Sequence, residues 1–208
     1  MACLQQIHIY PKHCCQQCGR IMPRDLAPGP CGACLKKAPM AQSMHSLFIY
    51  DGMVRQALLH WKLQRQEAEV AWLLQSATTT LQAIISAHDL LIPVPMPLSR
   101  MRERGQHHTA NLCKIIAQQS GAAWDWRILR RIQDTPRQST LSGQARKTNL
   151  KHAFGIDHAH AESLASFQRV WIIDDICTTG STLNYATRAL KPHHNNIHTF
   201  AMARGLRK

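Results

Sequence analysis

The stretch that decides the fold is residues 170–182, which read Val-Trp-Ile-Ile-Asp-Asp-Ile-Cys-Thr-Thr-Gly-Ser-Thr. Its first four residues are apolar and predict a buried strand, which delivers the two aspartates to its carboxyl end. The hydroxyl-rich residues 178–182 then predict a turn into a helix, and Gly180 permits a left-handed backbone or a close approach there. Ligands of open α/β sheets bind beyond the carboxyl ends of the strands, where the start of the next helix attracts anions. We therefore expect a strand, a turn that binds an anion, and a helix.

The two adjacent carboxylates, Asp174 and Asp175, indicate which anion it is. They would repel a phosphate unless they bind another part of the same ligand, and carboxylates accept hydrogen bonds from the two hydroxyls of a ribose. An acid pair in front of a hydroxyl-rich loop therefore fits a ribose 5-phosphate. The alternative is a capped helix without a ligand, since Ser and Thr are good caps. The candidate binding residues are Asp174, Asp175, Thr178, Thr179, Gly180, Ser181 and Thr182.

Strands and helices alternate on either side of this stretch. Strands are predicted at residues 47–50, 90–94, 126–132, 169–174 and 197–203. Helices are predicted at residues 54–85 (two helices, broken near 64–66), 109–119 and 181–190, and a basic loop at 134–147. This alternation predicts a mostly parallel sheet with helices on both faces.

Residues 1–42 differ from the rest and predict a small module in front of an α/β domain at residues 43–208. Two C-x-x-C pairs lie twelve residues apart: Cys15 with Cys18, and Cys31 with Cys34. Each pair can present two thiolates from a tight turn to one tetrahedral Zn²⁺, which predicts a closed, structural zinc site. Disulfides and redox chemistry are the alternatives, and Cys14 could replace Cys15 as a ligand.

Positive charge dominates the chain, with 25 Lys and Arg against 12 Asp and Glu and a net charge of +13. Such an excess favours polyanionic partners, although a generically basic protein is the alternative. The central cations are Arg100, Arg102, Arg104, Arg130, Arg131, Arg137, Arg146, Lys147 and Lys151. They could track a single strand of DNA while Trp124 or Trp126 stacks on bases. The alternatives are pyrophosphate contact for the arginines at 100–104 and core packing for the tryptophans.

The remaining signals are weaker. No apolar run is long enough to cross a membrane, and residues 1–10 lack the layout of a secretory signal, so we expect a cytoplasmic protein without membrane insertion. His107 or His108 could serve as a general base, but histidines in a basic loop are usually solvated. Two histidine pairs could be read as metal ligands but are expected to be surface residues: His158 with His160, and His194 with His198.

Residues 170–182 resemble the signature with which type I phosphoribosyltransferases bind phosphoribosyl pyrophosphate (PRPP). Residues 92–105 are similar to the "PVPL…R.RERG" stretch of the ComF family of ComFC/GntX-like competence proteins. Residues 141–154 resemble that family's "LS…R…NLK.AF" segment, and the C-x-x-C pairs precede the domain as they do there. One departure follows Gly105, where the family usually continues Phe-Asn-Gln and this chain has Gln106-His107-His108.

The resemblance covers nearly the whole chain and implies a type I phosphoribosyltransferase fold behind a zinc finger. It implies that Asp174 and Asp175 hold the ribose hydroxyls, that residues 178–182 hold the 5-phosphate, and that the loop after Val94 faces pyrophosphate and Mg²⁺. Two functions stay open. One is a PRPP-binding competence protein that engages single-stranded DNA during DNA uptake and natural transformation, with another competence protein such as a DNA-translocating helicase as partner. The other is an active phosphoribosyltransferase that passes ribose 5-phosphate to an unknown acceptor; the sequence names no catalytic residue for it.

Overall fold

A computed structural model describes residues 7–132 and 153–206, apart from the side chain of Arg104. Several sequence features therefore lie outside the described residues. These are the basic loop predicted at 134–147, the family-like segment at 141–151, and the cations Arg137, Arg146, Lys147 and Lys151.

A five-stranded parallel sheet forms the centre of the molecule, with the strand order β1-β7-β6-β2-β3. Its strands are β1 (Met44–Ile49), β2 (Asp89–Pro93), β3 (Ala123–Trp124), β6 (Arg169–Cys177) and β7 (Ile197–Arg204). A separate antiparallel pair contains β4 (Leu129–Arg131) and β5 (Phe154–Ile156). The parallel sheet predicted from the alternation of strands and helices is confirmed.

Helices cover both faces of this sheet. They are α1 (Gly32–Lys36), α2 (Gly52–Gln64), α3 (Glu67–Ser76), α4 (Thr78–Ile84), α5 (Leu98–Arg104), α6 (His108–Ser120), α7 (His158–Ala161) and α8 (Ser181–Leu190), with a 3₁₀ turn at Glu162–Ser166. Side chains alternate between the faces of β6, as expected for a strand. Trp171 and Ile173 pack with α2, α3, α4 and α6 on one face, and Val170 and Ile172 pack with α8 on the other.

Several elements differ from the sequence prediction. The strand predicted at 126–132 is shorter, and as β4 it pairs only with β5, outside the parallel sheet. The segment at residues 54–85 forms three helices, since the chain breaks at Arg65, which is left-handed with φ 60°, and again at Ala77. Helix α5 was not predicted, because its charged sequence lacks an apolar stripe. Strand β6 continues to Cys177 instead of ending at Asp174, because β7 remains paired with it as far as Arg204.

Histidines near the amino ends of the strands are packed against the sheet. His198 stacks on Trp171 with ring centroids 4.9 Å apart, and its Nδ1 lies 2.7 Å from the Ser43 hydroxyl. Burial lowers the pKa of His198 to about 4, with further lowering from nearby Arg169. His198 thus has a structural role in the described part of the chain and is not the free surface residue we expected.

The N-terminal residues pack against the sheet. Ile9 bridges to Phe48, so the segment around it lies antiparallel to the outer edge of β1. The Tyr10 hydroxyl donates a 2.8 Å hydrogen bond to the carbonyl of Gly19. Gly19 has φ +66°, and a Cβ there would lie 2.8 Å from the Met44 carbonyl oxygen, so this close approach requires glycine. The contacts of Ile9 and Gly19 join residues 7–42 to the α/β domain, and the division at residue 42 stays a prediction.

Candidate functional site

The turn after β6 has the geometry of an anion site. Gly180 adopts the left-handed conformation, with φ +77°, and α8 begins at the next residue. The hydroxyls of Thr179 and Ser181 lie 2.9 Å apart, and the Ser181 amide donates to the Thr179 hydroxyl over 3.3 Å. The first amides of an α-helix have no acceptor within the helix and carry its positive dipole end. A phosphate placed here would receive hydrogen bonds from amides and hydroxyls together.

The two aspartates lie beside this turn and are each partly exposed. The Asp175 amide donates a 2.9 Å hydrogen bond to the Asp174 carboxylate. Desolvation, and then the neighbouring charge of Asp175, raise the pKa of Asp174 to about 8, although the positive charge of Lys62 opposes this. At neutral pH the pair therefore tends to retain a proton on Asp174. A carboxyl with a strongly raised pKa beside an anion-binding turn is typical of a functional site.

Lys62 completes this acidic site, although no motif in the sequence singled it out. Its ammonium lies 2.7 Å from Asp175 Oδ2, and the two side chains are only 20% and 13% exposed. Lys62 comes from α2, far from the aspartates in sequence, and is brought to them by the packing of that helix against the sheet. No local motif could have shown this contact, because it exists only after the helix docks.

The histidines that follow α5 are not solvated, so that expectation is wrong. The ring of His107 caps α6 by accepting a 3.1 Å hydrogen bond from the Ala110 amide. Burial lowers the pKa of His107. His108 is fully buried and meets Trp61 edge to face, with centroids 5.1 Å apart. Both residues therefore help to hold α6 in place.

The cations that could face pyrophosphate or DNA are only partly described. Arg100 and Arg102 are exposed on α5, which follows the carboxyl end of β2 and so lies at the same sheet edge as the turn after β6. The side chain of Arg104 is outside the described part of the structure. The structure thus places two of the three predicted arginines on the helix that follows the carboxyl end of β2, and their contact with pyrophosphate or DNA stays a prediction.

A second group of candidates surrounds β4. Trp124 packs against the core, whereas Trp126 is 52% exposed and free to stack on a ligand. Arg127 pairs with Asp125 over 3.0 Å, and Arg130 pairs with Asp157. Aspartates thus offset part of the positive charge on this surface.

The four predicted cysteines form one cluster in the N-terminal module. The Sγ atoms of Cys15, Cys18, Cys31 and Cys34 all lie within 4.8 Å of one another. Those of Cys18 and Cys31 are 3.7 Å apart. Four ligands about 2.3 Å from a central zinc would be separated by about 3.8 Å, so the cluster fits a tetrahedral ion. Cys14 is not part of this cluster, because its backbone pairs with Ile21 in a short antiparallel bridge.

The pKa values of Cys15 and Cys34 shift in opposite directions. Burial raises the pKa of Cys15, but backbone amides, including those of Cys18 and Cys31, outweigh burial and lower its pKa to about 6. Burial, followed by hydrogen bonds with Cys18 and Cys31, raises the pKa of Cys34. Thiolates crowded into so small a volume repel one another, and a divalent ion removes that repulsion. The four cysteines could therefore hold zinc.

Comparison with known proteins agrees with this fold. The family model described as "Phosphoribosyl transferase domain" matches residues 125–206, which contain the acid pair, the turn and α8. The chain is 33% identical to DNA utilization protein YhgH of Salmonella typhi, over 81% of this chain and 74% of that protein. It is 29% identical to Competence protein F of Haemophilus influenzae (91% and 82% covered) and 24% identical to Competence protein ComFC of Bacillus subtilis (91% and 76%).

The structure and the family model together define a protein with a phosphoribosyltransferase-type domain. Its relatives identify the group more closely, and the chain belongs to the ComF family. Among the described residues, no helix is both long and apolar enough to cross a bilayer.

Proposed function

We propose that this protein binds PRPP with Mg²⁺ at the turn after β6 and engages single-stranded DNA in the cytoplasm during DNA uptake and natural transformation. The observation that carries the proposal is the acid pair beside a hydroxyl-rich turn and a helix start, within a matched phosphoribosyltransferase domain. The names of the relatives, which refer to DNA utilization and competence, support the second part.

Each residue of the site has a chemical task in this proposal. Asp174 and Asp175 accept hydrogen bonds from the ribose hydroxyls, and ionisation of Asp174 strengthens its bond. The hydroxyls and amides of residues 178–182 bind the 5-phosphate, and Gly180 lets the backbone approach it. Arg100 and Arg102 on α5 lie at the edge where the pyrophosphate would extend. When bound with PRPP, Mg²⁺ would offset the charge of that pyrophosphate.

The cysteine cluster has a structural task. With four thiolates on one ion the site would be closed, which leaves no position for a substrate and excludes a catalytic role for the metal. Zinc would therefore stabilise residues 1–42, which we treat as a module of their own. A competence protein such as a DNA-translocating helicase is the partner class that the family suggests for it.

PRPP binding is tested by calorimetric titration with PRPP and Mg²⁺. We expect one ligand to bind each chain, with little binding when Mg²⁺ is withheld, because the pyrophosphate charge is then uncompensated. Release of pyrophosphate in the same sample would favour the alternative function, an active phosphoribosyltransferase, provided that Asp175→Ala abolishes the release. If PRPP does not bind at all, the proposal is wrong.

DNA binding is tested by its dependence on salt and on Trp126. Affinity for an oligothymidylate should fall steeply as salt rises, because each phosphate that the protein neutralises releases counterions. Trp126→Ala should weaken binding by about 1 to 3 kcal/mol if a base stacks on this exposed ring. Trp72→Ala is the matched control, since Trp72 on α3 is 42% exposed but lies away from the cations of β4. A flat salt response would exclude DNA as a ligand.

A further inference from the structure

Two clefts separate the turn after β6 from the N-terminal module. One, of about 330 Å³, reaches Gly180 and Ser181, and the other, of about 870 Å³, reaches Thr178. Six residues line both clefts: Cys18, Lys37, Pro39, Thr179, Asn184 and Arg204. Three of these six belong to the module, so the module forms one wall of the space in which the candidate phosphate site opens.

Among Lys, Arg, Asp and Glu, only basic side chains are found in the described lining of these clefts. Lys37 and Arg204 line both clefts, Arg20 lines the larger one, and no carboxylate lines either. The start of α8 adds the positive end of its dipole from the opposite wall. A dianion between the two walls would therefore be attracted from both sides.

Hydrogen bonds hold the N-terminal module beside the turn after β6. The Met40 amide donates a 3.1 Å hydrogen bond to the side-chain oxygen of Asn184 in α8. The guanidinium of Arg204, at the end of β7, donates to the carbonyl of Cys18. Lys37 lies between these two anchors, at the end of α1, where its amide bonds to the Ala33 carbonyl over 3.0 Å. The ammonium of Lys37 thus extends from a fixed backbone and is itself exposed.

We propose that Lys37 binds the 5-phosphate of the ribose ligand, so that the N-terminal module contributes a residue to the site on the α/β domain. This inference rests on the proposed function, because it concerns the same phosphate. The turn supplies amides and hydroxyls to one side of the phosphate, and Lys37 supplies a point charge to the other. The ligand class is a ribose 5-phosphate monoester, and the module is part of its recognition.

The test compares two neighbouring lysines in the full, zinc-loaded chain. Calorimetric titration with ribose 5-phosphate should give about tenfold weaker binding for Lys37→Ala, equivalent to about 1.4 kcal/mol. Lys36→Ala is the matched control, because Lys36 is also exposed at the end of α1 but lines neither cleft. It removes the same charge and should change affinity less than twofold. Zinc content should be the same in all three proteins.

A second ligand shows whether Lys37 contacts the 5-phosphate. Titration with Mg²⁺-pyrophosphate should show no difference between the parent and Lys37→Ala, because this ligand lacks the 5-phosphate. Equal weakening by Lys36→Ala and Lys37→Ala, or unchanged affinity in Lys37→Ala, would overturn the inference and leave the proposed function standing. If the parent binds neither ribose 5-phosphate nor PRPP, both the inference and the proposed function are wrong.

Discussion

Replacing Asp174 and Asp175 together by alanine should abolish PRPP binding. In the proposed site each aspartate would accept a hydrogen bond from a ribose hydroxyl, and such bonds contribute about 1.5 to 3 kcal/mol each when the acceptor is ionised. Their joint loss corresponds to an affinity at least about a hundredfold lower. Calorimetric titration with PRPP and Mg²⁺ measures the effect directly. Undiminished binding would contradict the assignment of these residues.

The same variant should remain folded, and its stability supplies the control. The pKa of Asp174 is about 8 in the folded protein, well above the value of about 3.9 for an unfolded aspartate. Its contribution to stability is therefore fully present below about pH 4 and is lost as pH rises toward 8. Removing the pair should raise the free energy of unfolding at pH 8 relative to the parent, even though Lys62 loses its partner. A variant that unfolds at pH 8 would show that the aspartates support the fold.

Loss of zinc should have the second large effect. We expect about one zinc per chain by elemental analysis, and Cys15→Ser or Cys31→Ser should lose it. A structural zinc site contributes its binding energy to folding. The melting temperature of the unfolding transition that includes the cluster should therefore fall sharply. A strong chelator should produce the same fall in the parent protein.

Cys14 provides a matched control for the cysteine variants. It neighbours Cys15 in the chain but lies outside the cluster, so Cys14→Ser should keep its zinc and its melting temperature. If Cys14→Ser loses zinc and Cys15→Ser retains it, the zinc ligand is Cys14 and not Cys15. Absence of zinc from protein purified without chelators would refute the site.

The elements that the sequence predicted well are those with strong local signals. The apolar run before Asp174 and the hydroxyl-rich start of α8 are local signals for a strand and a helix, and both elements are present. The paired C-x-x-C spacing likewise placed four sulfurs in one cluster, because each short turn brings its own two cysteines together. Sequence patterns predicted the structure poorly where tertiary packing determines it. The end of β6 depends on its pairing with β7, and the burial of His108 depends on its contact with Trp61.

The sequence alone determined that a buried strand with two aspartates leads into a hydroxyl-rich turn, and that four cysteines lie near the start of the chain. Both are local properties, since neighbouring residues supply all their chemistry. Only the tertiary structure decided that Lys62 lies against Asp175 and that Lys37 lies across a cleft from Thr179. These contacts join residues distant in the chain, and they form only because helices and the module pack in one arrangement on the sheet.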